Sequence, residues 1–185
     1  MREGKKEIES EKTSFFSPWP LFGAGRLKKR QFSFAAFFSV AALVFFLDQL
    51  SKSWVVGKLA PGETQALIPG IFYLTYVRNP GAAFGLLAHK TSFFIVVALF
   101  LAIIILLSCY FLSNRYVLFR FGLSLLLGGA MGNLFDRLKT GYVIDFLDFR
   151  IWPVFNLADT AITIGVILLF ISFLRNKTYF FSSEK

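Results

Sequence analysis

The sequence contains one cysteine, Cys109, and one histidine, His89, among its 185 residues. A single cysteine allows no disulfide within the chain, and no metal cluster can be built around it. Cys109 lies inside an apolar run, which favours its interpretation as a small buried hydrophobic residue. His89 has no second histidine or neighbouring cysteine to join it, so we interpret it as a loop residue near an interface. A Ser-His or Cys-His catalytic system is therefore disfavoured.

Charged residues are also scarce. They make up 17% of the chain, which is below the roughly 25% of a soluble domain. Hydrophobic residues account for 56% of the chain, and its mean hydropathy is +0.62. This composition predicts an α-helical integral membrane protein, and the length indicates one compact bundle.

Positive charge is concentrated near the N-terminus. The net charge is +9, and eight of the twenty basic residues fall within positions 1–30. The remainder of the chain shows no basic stripe with interleaved aromatic residues, so nucleic-acid binding is disfavoured. A basic flank beside an apolar run is instead typical of a cytoplasmic segment that faces anionic lipid. We therefore expect membrane lipid as a partner, and nothing in the sequence demands more than a monomer.

Four apolar runs are long enough to cross a hydrocarbon core of about 30 Å as helices. The predicted spans cover residues 31–48, 91–112, 117–136 and 156–174. Together they define a predicted four-span domain at 31–175, preceded by a polar, basic cytoplasmic extension at 1–30 and followed by a cytoplasmic tail at 176–185. A cleaved signal sequence in place of the first span is an alternative. The long charged leader and the polar segment that begins at Asp48 disfavour it.

Four spans place both termini on one side of the membrane, and the basic residues indicate which side that is. Thirteen of them flank the spans on the side of the termini, and seven lie on the opposite side. This asymmetry predicts that both termini are cytoplasmic. Residues 71–77 and 143–149 are bounded by turn signals and are predicted to be short extended segments. They indicate a small extracytoplasmic β element after the first span.

The aspartates are placed very differently from the glutamates. All five aspartates lie between positions 48 and 159, whereas every glutamate except Glu63 lies in a terminal tail. Asp48, Asp136, Asp145 and Asp159 fall at or beside the ends of predicted spans, and in this topology all four emerge on the extracytoplasmic side. A carboxylate at membrane depth is costly, so each is a candidate functional residue. Two carboxylates brought together there are the minimal equipment of an aspartic protease.

Polar neighbours are spaced to share a helix face with three of these aspartates: Asp48 with Lys52, Asp136 with Asn133 and Arg137, and Asp159 with Asn156. The first group can form an ion pair, and the last can form an N-cap. An alternative interpretation is that all of these are interfacial ion pairs and caps that simply end helices. That alternative explains Asp145 and Asp159 least well, because neither has a basic neighbour in sequence. Gly128, Gly129 and Gly132 are predicted to let helices approach closely.

Five segments, in this order along the chain, resemble the bacterial lipoprotein signal peptidases, which are the type II signal peptidases. They are Asp48-Gln-Leu-Ser-Lys52, Asn79-Pro-Gly-Ala-Ala-Phe84, Gly128-Gly-Ala-Met-Gly-Asn133-Leu-Phe-Asp136-Arg137, Val143-Ile-Asp145-Phe146 and Phe155-Asn156-Leu-Ala-Asp159. The resemblance covers about residues 31–175. Ser51 stands where the family more often has threonine, and the leader of about thirty residues has no counterpart in typical members.

The resemblance implies a membrane-embedded aspartyl endopeptidase of the bacterial plasma membrane, without cofactor or metal. Its substrates would be diacylglyceryl-modified prolipoproteins, cut just before the lipidated cysteine, and it would be a target of the cyclic peptide antibiotic globomycin. The catalytic pair would be Asp145 and Asp159, with the active site at the extracytoplasmic face. Further residues match the family's supporting or substrate-binding polar positions: Asp48, Lys52, Asn79, Asn133, Asp136, Arg137 and Asn156.

Two other classes of function also fit parts of the pattern. Hard oxygen ligands suit Mg²⁺, so the aspartates fit a metal-dependent lipid-processing enzyme, although no two of them are three or four apart on one predicted helix. Carboxylates that relay protons fit a small transporter or assembly factor. Transport, however, predicts charges near mid-span and a path through both faces. The charges of this chain gather at one side, which favours the peptidase.

Overall fold

The computed structural model describes residues 32–81, 90–113 and 116–182. Helix α1 (Phe34–Lys58) is followed by strands β1 (Thr64–Ile68) and β2 (Phe72–Asn79), and then by helices α2 (Thr91–Phe111) and α3 (Val117–Thr140). Strand β3 (Val143–Asp148) and helix α4 (Leu157–Ser182) complete the order. The predicted fold class, four membrane-crossing helices with a small β element, is confirmed. The predicted extension at 1–30 and His89 lie outside the described residues.

All four helices are long and apolar enough to cross a membrane. In α4 the candidate span covers Leu157–Arg175. Two helices run further than the spans predicted for them. Helix α1 continues past Asp48 to Lys58, and α4 continues through part of the predicted 176–185 tail as far as Ser182. The extension of α1 has a clear physical reason. Its last turns bury Val55 against the sheet residues Leu74 and Phe146, so packing rather than lipid holds this part of the helix.

Helix α3 lies at the centre of the bundle because its glycines admit the neighbouring helices. A Cβ atom at Gly128 would lie 2.5 Å from the carbonyl oxygen of Ala41 in α1. One at Gly129 would lie 2.5 Å from the carbonyl oxygen of Ala158 in α4. Both distances are far inside van der Waals contact, so only glycine allows these helix pairs to pack so closely. The predicted packing role of the glycines is confirmed.

At the end of the bundle opposite the sheet, Arg120 of α3 joins this helix to α2. Its guanidinium is fully buried and donates hydrogen bonds to the carbonyl oxygens of Cys109 and Leu112, each at 2.8 Å. It also lies 4.7 Å from the ring centroid of Phe34. These carbonyls end α2, so the arginine satisfies acceptors that the helix terminus leaves open. Cys109 is buried here, as its position in an apolar run predicted.

The three strands form one antiparallel sheet in the order β1-β2-β3. Strand β2 is central, and its pairing with β3 places Val77 opposite Asp145 and Asn79 opposite Val143. Strands β2 and β3 correspond to the two segments predicted from turn signals, but β1 was missed. All five residues of β1 are exposed, so its sequence lacks the alternation that identifies a strand with one buried face. The sheet holds β3, and with it Asp145, against the ends of the helices.

Candidate active site

Asp145 and Asp159 face one cavity of about 320 Å³ at the sheet end of the bundle. Asp145 comes from the middle of β3, and Asp159 comes from the first turn of α4. Residues from two further parts of the chain share the cavity wall: Asn79 and Gly81 at and just after the end of β2, and Asn133 and Arg137 of α3. Two carboxylates that are fourteen residues apart in sequence are therefore brought together, as the resemblance implied.

Local structure explains why the two aspartates meet. Phe155 pairs with Leu147 in an antiparallel bridge, which folds the segment after β3 back onto the strand. Helix α4 therefore begins beside β3 rather than far from it. Asn156 and Asp159 form a reciprocal cap at that beginning. The backbone N–H of Asp159 donates to Asn156 Oδ1 at 2.9 Å, and the N–H of Asn156 donates to Asp159 Oδ2 at 3.3 Å.

Three asparagine side chains fix the two carboxylates. Asn156 Nδ2 donates to Asp145 Oδ1 at 2.7 Å, and Asn79 Nδ2 donates to Asp145 Oδ2 at 2.9 Å. Asn133 Nδ2 donates to Asp159 Oδ1 at 2.8 Å. Each of the four carboxylate oxygens thus accepts a hydrogen bond from an N–H group. Asn79 ends β2 and holds Asp145, and a role for it in binding substrate stays a prediction.

A buried lysine, Lys52, stabilises the side chains that hold the two candidate catalytic carboxylates. The ammonium group of Lys52 lies 2.7 Å from Asp48 Oδ2 and 2.8 Å from Asp136 Oδ2, and it donates to Asn133 Oδ1 at 2.9 Å. The predicted ion pair of Asp48 and Lys52 is confirmed. Because Asn133 accepts from Lys52 with its oxygen, its NH₂ group must point towards Asp159. The lysine therefore orients an amide that contacts the candidate catalytic pair.

Gln49 belongs to the same network and was not singled out from the sequence. Its side-chain amide donates to Asp136 Oδ1 at 3.0 Å, to the carbonyl oxygen of Gly132 at 3.2 Å and to Asp48 Oδ2 at 3.2 Å. It links α1 to α3. The only signal in the sequence was its position next to Asp48, which does not reveal partners more than eighty residues away.

The environment of Asp145 favours a protonated carboxyl group. The side chain is 2% exposed. Burial raises its pKa, the charge of Asp159 raises it further, and the hydrogen bonds from Asn79 and Asn156 and the charge of Lys52 oppose this in part. The resulting pKa is about 7, against an ordinary value of 3.8. A carboxyl group that keeps a proton near neutral pH beside a second carboxylate is the arrangement that acid–base chemistry by two aspartates needs.

Arg137 lines the cavity but does not hold Asp136. Its guanidinium donates to the carbonyl oxygen of Gly81 at 3.0 Å and lies 4.7 Å from the ring centroid of Phe94. Within residues 32–81, 90–113 and 116–175 its guanidinium forms no ion pair, and Lys52 binds Asp136 instead. From its place in the sequence Arg137 could hold either Asp136 or a substrate carbonyl; it does not hold Asp136, and the second role stays a prediction. The reason is that Lys52 reaches Asp136 from α1, a contact that spacing along α3 does not reveal.

The same part of the chain contains no group of three or more His, Cys, Asp or Glu side chains placed to hold a metal ion. Asp48 and Asp136 are bound to the ammonium of Lys52, and both oxygens of Asp145 and of Asp159 face N–H donors. These contacts suit carboxylates that exchange protons rather than oxygen atoms that ligate Mg²⁺. The site as a whole therefore fits hydrolysis by water better than it fits the metal-dependent alternative.

The family described as "Signal peptidase (SPase) II", Peptidase A8, matches residues 40–175 of this chain. The chain is 56% identical over 133 residues to the lipoprotein signal peptidase of Moorella thermoacetica, covering 72% of this chain and 89% of that protein. It is 44% identical over 149 residues to the lipoprotein signal peptidase of Nostoc punctiforme, covering 80% of this chain and 91% of that protein.

The fold is similar to that of two solved structures, each described as a bacterial membrane enzyme studied by the in meso method. The one at 2.3 Å resolution has a TM-score of 0.78 and 31% identity, and the match covers 83% of this chain and 96% of that one. The one at 1.9 Å resolution has a TM-score of 0.73 and 32% identity, with 80% and 98% covered. The match thus covers nearly the whole of each of the two solved structures.

Proposed function

Because this chain belongs to the signal peptidase II family, we propose that Asp145 and Asp159 are the catalytic pair of its aspartyl endopeptidase activity. The family removes signal peptides from prolipoproteins, and the chain is a membrane-embedded peptidase of that kind. The observation that carries the proposal is the convergence of the two carboxylates on one cavity, with every oxygen held by an N–H donor. Such fixed groups contribute to catalysis because they need no reorganisation during the reaction.

The surroundings of the two aspartates support different starting roles. Asp159 lies in the first turn of α4, where the helix N-terminus and the N–H of Asn156 stabilise a carboxylate. Asp145 lies on a strand with no helix terminus and favours its protonated form. In the proposed reaction Asp159 takes a proton from water, while Asp145 donates a hydrogen bond to the scissile carbonyl. The tetrahedral intermediate then collapses as a proton passes to the leaving amine.

The proposed substrate is a diacylglyceryl-modified prolipoprotein, cut just before the lipidated cysteine. Burial of each CH₂ group of a lipid chain is worth about 0.8 kcal/mol, so the diacylglyceryl group is a large recognition element. The inner wall of the cavity carries Ile162 and Thr163 of α4, which lie one turn into the membrane span from Asp159. Arg137 is placed on the same cavity to donate to a substrate carbonyl, in addition to its bond with Gly81.

The proposed topology follows the distribution of positive charge. Both termini are cytoplasmic, with residues 1–30 as a cytoplasmic extension of the four-span domain and 176–185 as a cytoplasmic tail. The active site then lies at the extracytoplasmic face of the bacterial plasma membrane. We also propose that the protein acts as a monomer and binds no nucleic acid. The second point is supported by the position of the positive charge, since eight of the twenty basic residues fall within positions 1–30, beside the first span.

The pH dependence of cleavage tests the proposed chemistry. We expect kcat/KM to fall above a pH of about 7, because Asp145, whose pKa is about 7, then loses the proton it donates to the carbonyl. It should fall again in acid, once both carboxylates are protonated, and the two apparent pKa values belong to the pair. The measurement uses purified protein, a diacylglyceryl-modified prolipoprotein and a chelator throughout. A rate that keeps rising above neutral pH, or that the chelator abolishes, would contradict the proposal.

The orientation is tested by labelling one introduced cysteine in intact cells. Gln65 lies on the exposed strand β1, so Gln65→Cys in a Cys109→Ser background presents a single accessible thiol. A membrane-impermeant maleimide added outside the plasma membrane is expected to modify it without lysis. Modification only after lysis would place the sheet in the cytoplasm and reverse the proposed topology. The Cys109→Ser protein alone provides the background signal.

A further inference from the structure

The segment between the two proposed catalytic aspartates forms a loop with a rigid base. Its closing pair is the bridge between Leu147 and Phe155. The ring of Phe149 stacks on Phe72 of β2 with centroids 4.7 Å apart, and on Phe155 with centroids 6.0 Å apart. Stacked aromatic pairs add to the stability that burial alone provides. The loop is thus attached to the sheet on one side and to the start of α4 on the other.

Arg150 fixes the turn at the end of the loop. It has a positive φ of 65°, a conformation that costs energy for a residue with a side chain. Three contacts hold it there. Its backbone N–H donates to Asp148 Oδ1 at 2.8 Å, its Nε lies 3.5 Å from Asp148 Oδ2, and its guanidinium lies 3.9 Å from the ring centroid of Tyr73. The bend that presents the next residues is therefore specified by the surrounding structure.

The residues presented by that bend are large and apolar. Ile151 is 93% exposed, and Trp152, which also lines the edge of the cavity that holds Asp145 and Asp159, is 63% exposed. Phe149 is also exposed, and its stacking partner Phe72 pairs with Ile68, a further exposed apolar residue towards the sheet. A contiguous exposed apolar surface outside the spans marks an interaction site. The loop has a rigid base and carries two exposed apolar side chains at its tip. This arrangement indicates that the two side chains contact an apolar partner.

We propose that Ile151 and Trp152 insert into the outer leaflet of the bilayer and anchor the catalytic loop to it. The position of the loop supports lipid as the occupant. Phe155, the residue that closes the loop, is followed by Asn156 and then by the apolar span that starts at Leu157. The tip is only three to four residues from Phe155, a reach of about 10 to 14 Å in an extended chain.

The chemistry of the tip also matches a membrane interface. Tryptophan is enriched at the level of the lipid headgroups, where its ring meets both apolar chains and polar groups. Arg150, half-exposed and adjacent to Ile151, places a positive charge where anionic headgroups lie. Because the loop joins β3 to α4, its anchoring fixes the depth of both aspartates relative to the lipid-attached cleavage site of the substrate.

Fluorescence quenching tests the insertion without reference to catalysis. A variant with Trp19→Phe and Trp54→Phe retains Trp152 as its only tryptophan. The variant is placed in vesicles of phosphatidylglycerol and phosphatidylcholine without substrate. We expect lipids brominated on the acyl chain close to the headgroup to quench Trp152 more strongly than lipids brominated close to the terminal methyl group. Quenching by aqueous acrylamide but not by brominated lipid would overturn the proposal. Quenching that appears only when a prolipoprotein with brominated acyl chains is added would assign the tip to the substrate instead, and would also overturn it.

Activity provides a second readout, and only this readout rests on the proposed function. Ile151→Ser is expected to lower the rate of cleavage about fivefold in vesicles and to leave it unchanged in detergent micelles, which adapt to the protein surface. Leu67→Ser, which removes an exposed apolar side chain from β1, is the matched control and should behave as the wild type in both. An equal loss in vesicles and micelles would indicate a structural effect and contradict the anchor. Failure of the wild type to cleave at all would refute the proposed function and leave the quenching result intact.

Discussion

Replacement of Asp145 or Asp159 by asparagine is expected to reduce cleavage of a diacylglyceryl-modified prolipoprotein by about a thousandfold or more. An amide cannot accept a proton from water or donate one to the departing amine, and positioned acid–base groups contribute about 10² to 10⁴ in rate. Each variant leaves one carboxylate without the partner that shares its proton. The single-turnover rate of the purified variants in lipid measures the effect. Cleavage that survives either substitution would remove that residue from the chemistry.

Asp148 provides the matched control because it is a buried carboxylate on the same strand as Asp145. It accepts hydrogen bonds from Thr75 Oγ1 at 2.7 Å and from the N–H of Arg150 at 2.8 Å, and it is not part of the cavity wall. Asp148→Asn is expected to lose less than about tenfold in rate. A loss as large as that of Asp145→Asn would show that any disturbance of β3 inactivates the enzyme, and the substitution at Asp145 would then carry no information about its role.

The stability of Asp145→Asn separates loss of chemistry from loss of fold. The pKa of Asp145 is about 7 in the folded protein and 3.8 in its ordinary state. Between these values the folded protein holds a proton that the unfolded chain has released, so the free energy of unfolding falls as pH rises, by up to about 1.4 kcal/mol per unit. Asparagine has no such loss. The thermal midpoint of Asp145→Asn should therefore rise relative to that of the wild type as the pH increases from about 4 to about 7. A difference between the two midpoints that does not change with pH would contradict the burial of this carboxyl group.

Contacts between residues that are close in sequence could be predicted. They include two contacts that hold side chains of the site in place. The pairing of Asp48 with Lys52 follows from one turn of helix, and the cap formed by Asn156 and Asp159 follows from a spacing of three. The glycines of α3 likewise predict close packing of neighbouring helices, because glycine has no side chain. In each case the geometry of one helix turn fixes which side chains meet, and no tertiary information is needed.

Contacts between distant residues were beyond the reach of spacing. Asp136 accepts from Lys52 and Gln49 of α1 rather than from its neighbour Arg137, and the choice depends on how closely α1 approaches Gly132. Asn79 reaches Asp145 only because the β2–β3 register has an irregularity between Leu74 and Val77. The resemblance supplied the identity of these positions, but their partners come from packing and register, which a single sequence does not encode in a readable form.

Lys52→Met is expected to destabilise the protein and to impair catalysis together. The substitution keeps the length of the side chain but removes the cation that is bound to both Asp48 and Asp136, which are buried. Removal of one partner from a buried ion pair costs about 3 to 5 kcal/mol, because it leaves an uncompensated charge. Asn133 would also lose the donor that orients its amide towards Asp159. We expect a lower thermal midpoint and a fall in kcat of at least about tenfold.

Two further variants separate these effects. Lys58→Met, in the last turn of the same helix, removes an exposed lysine and should match the wild type in both measurements. The double variant Lys52→Met with Asp48→Asn removes one of the two charges that Lys52→Met leaves unpaired, so stability should recover in part. Its kcat should remain low, because no cation then orients Asn133. Recovery of kcat along with stability would mean that Lys52 acts on the reaction only by holding the bundle together, and the positioning of Asp159 would have to come from the cap on α4 alone.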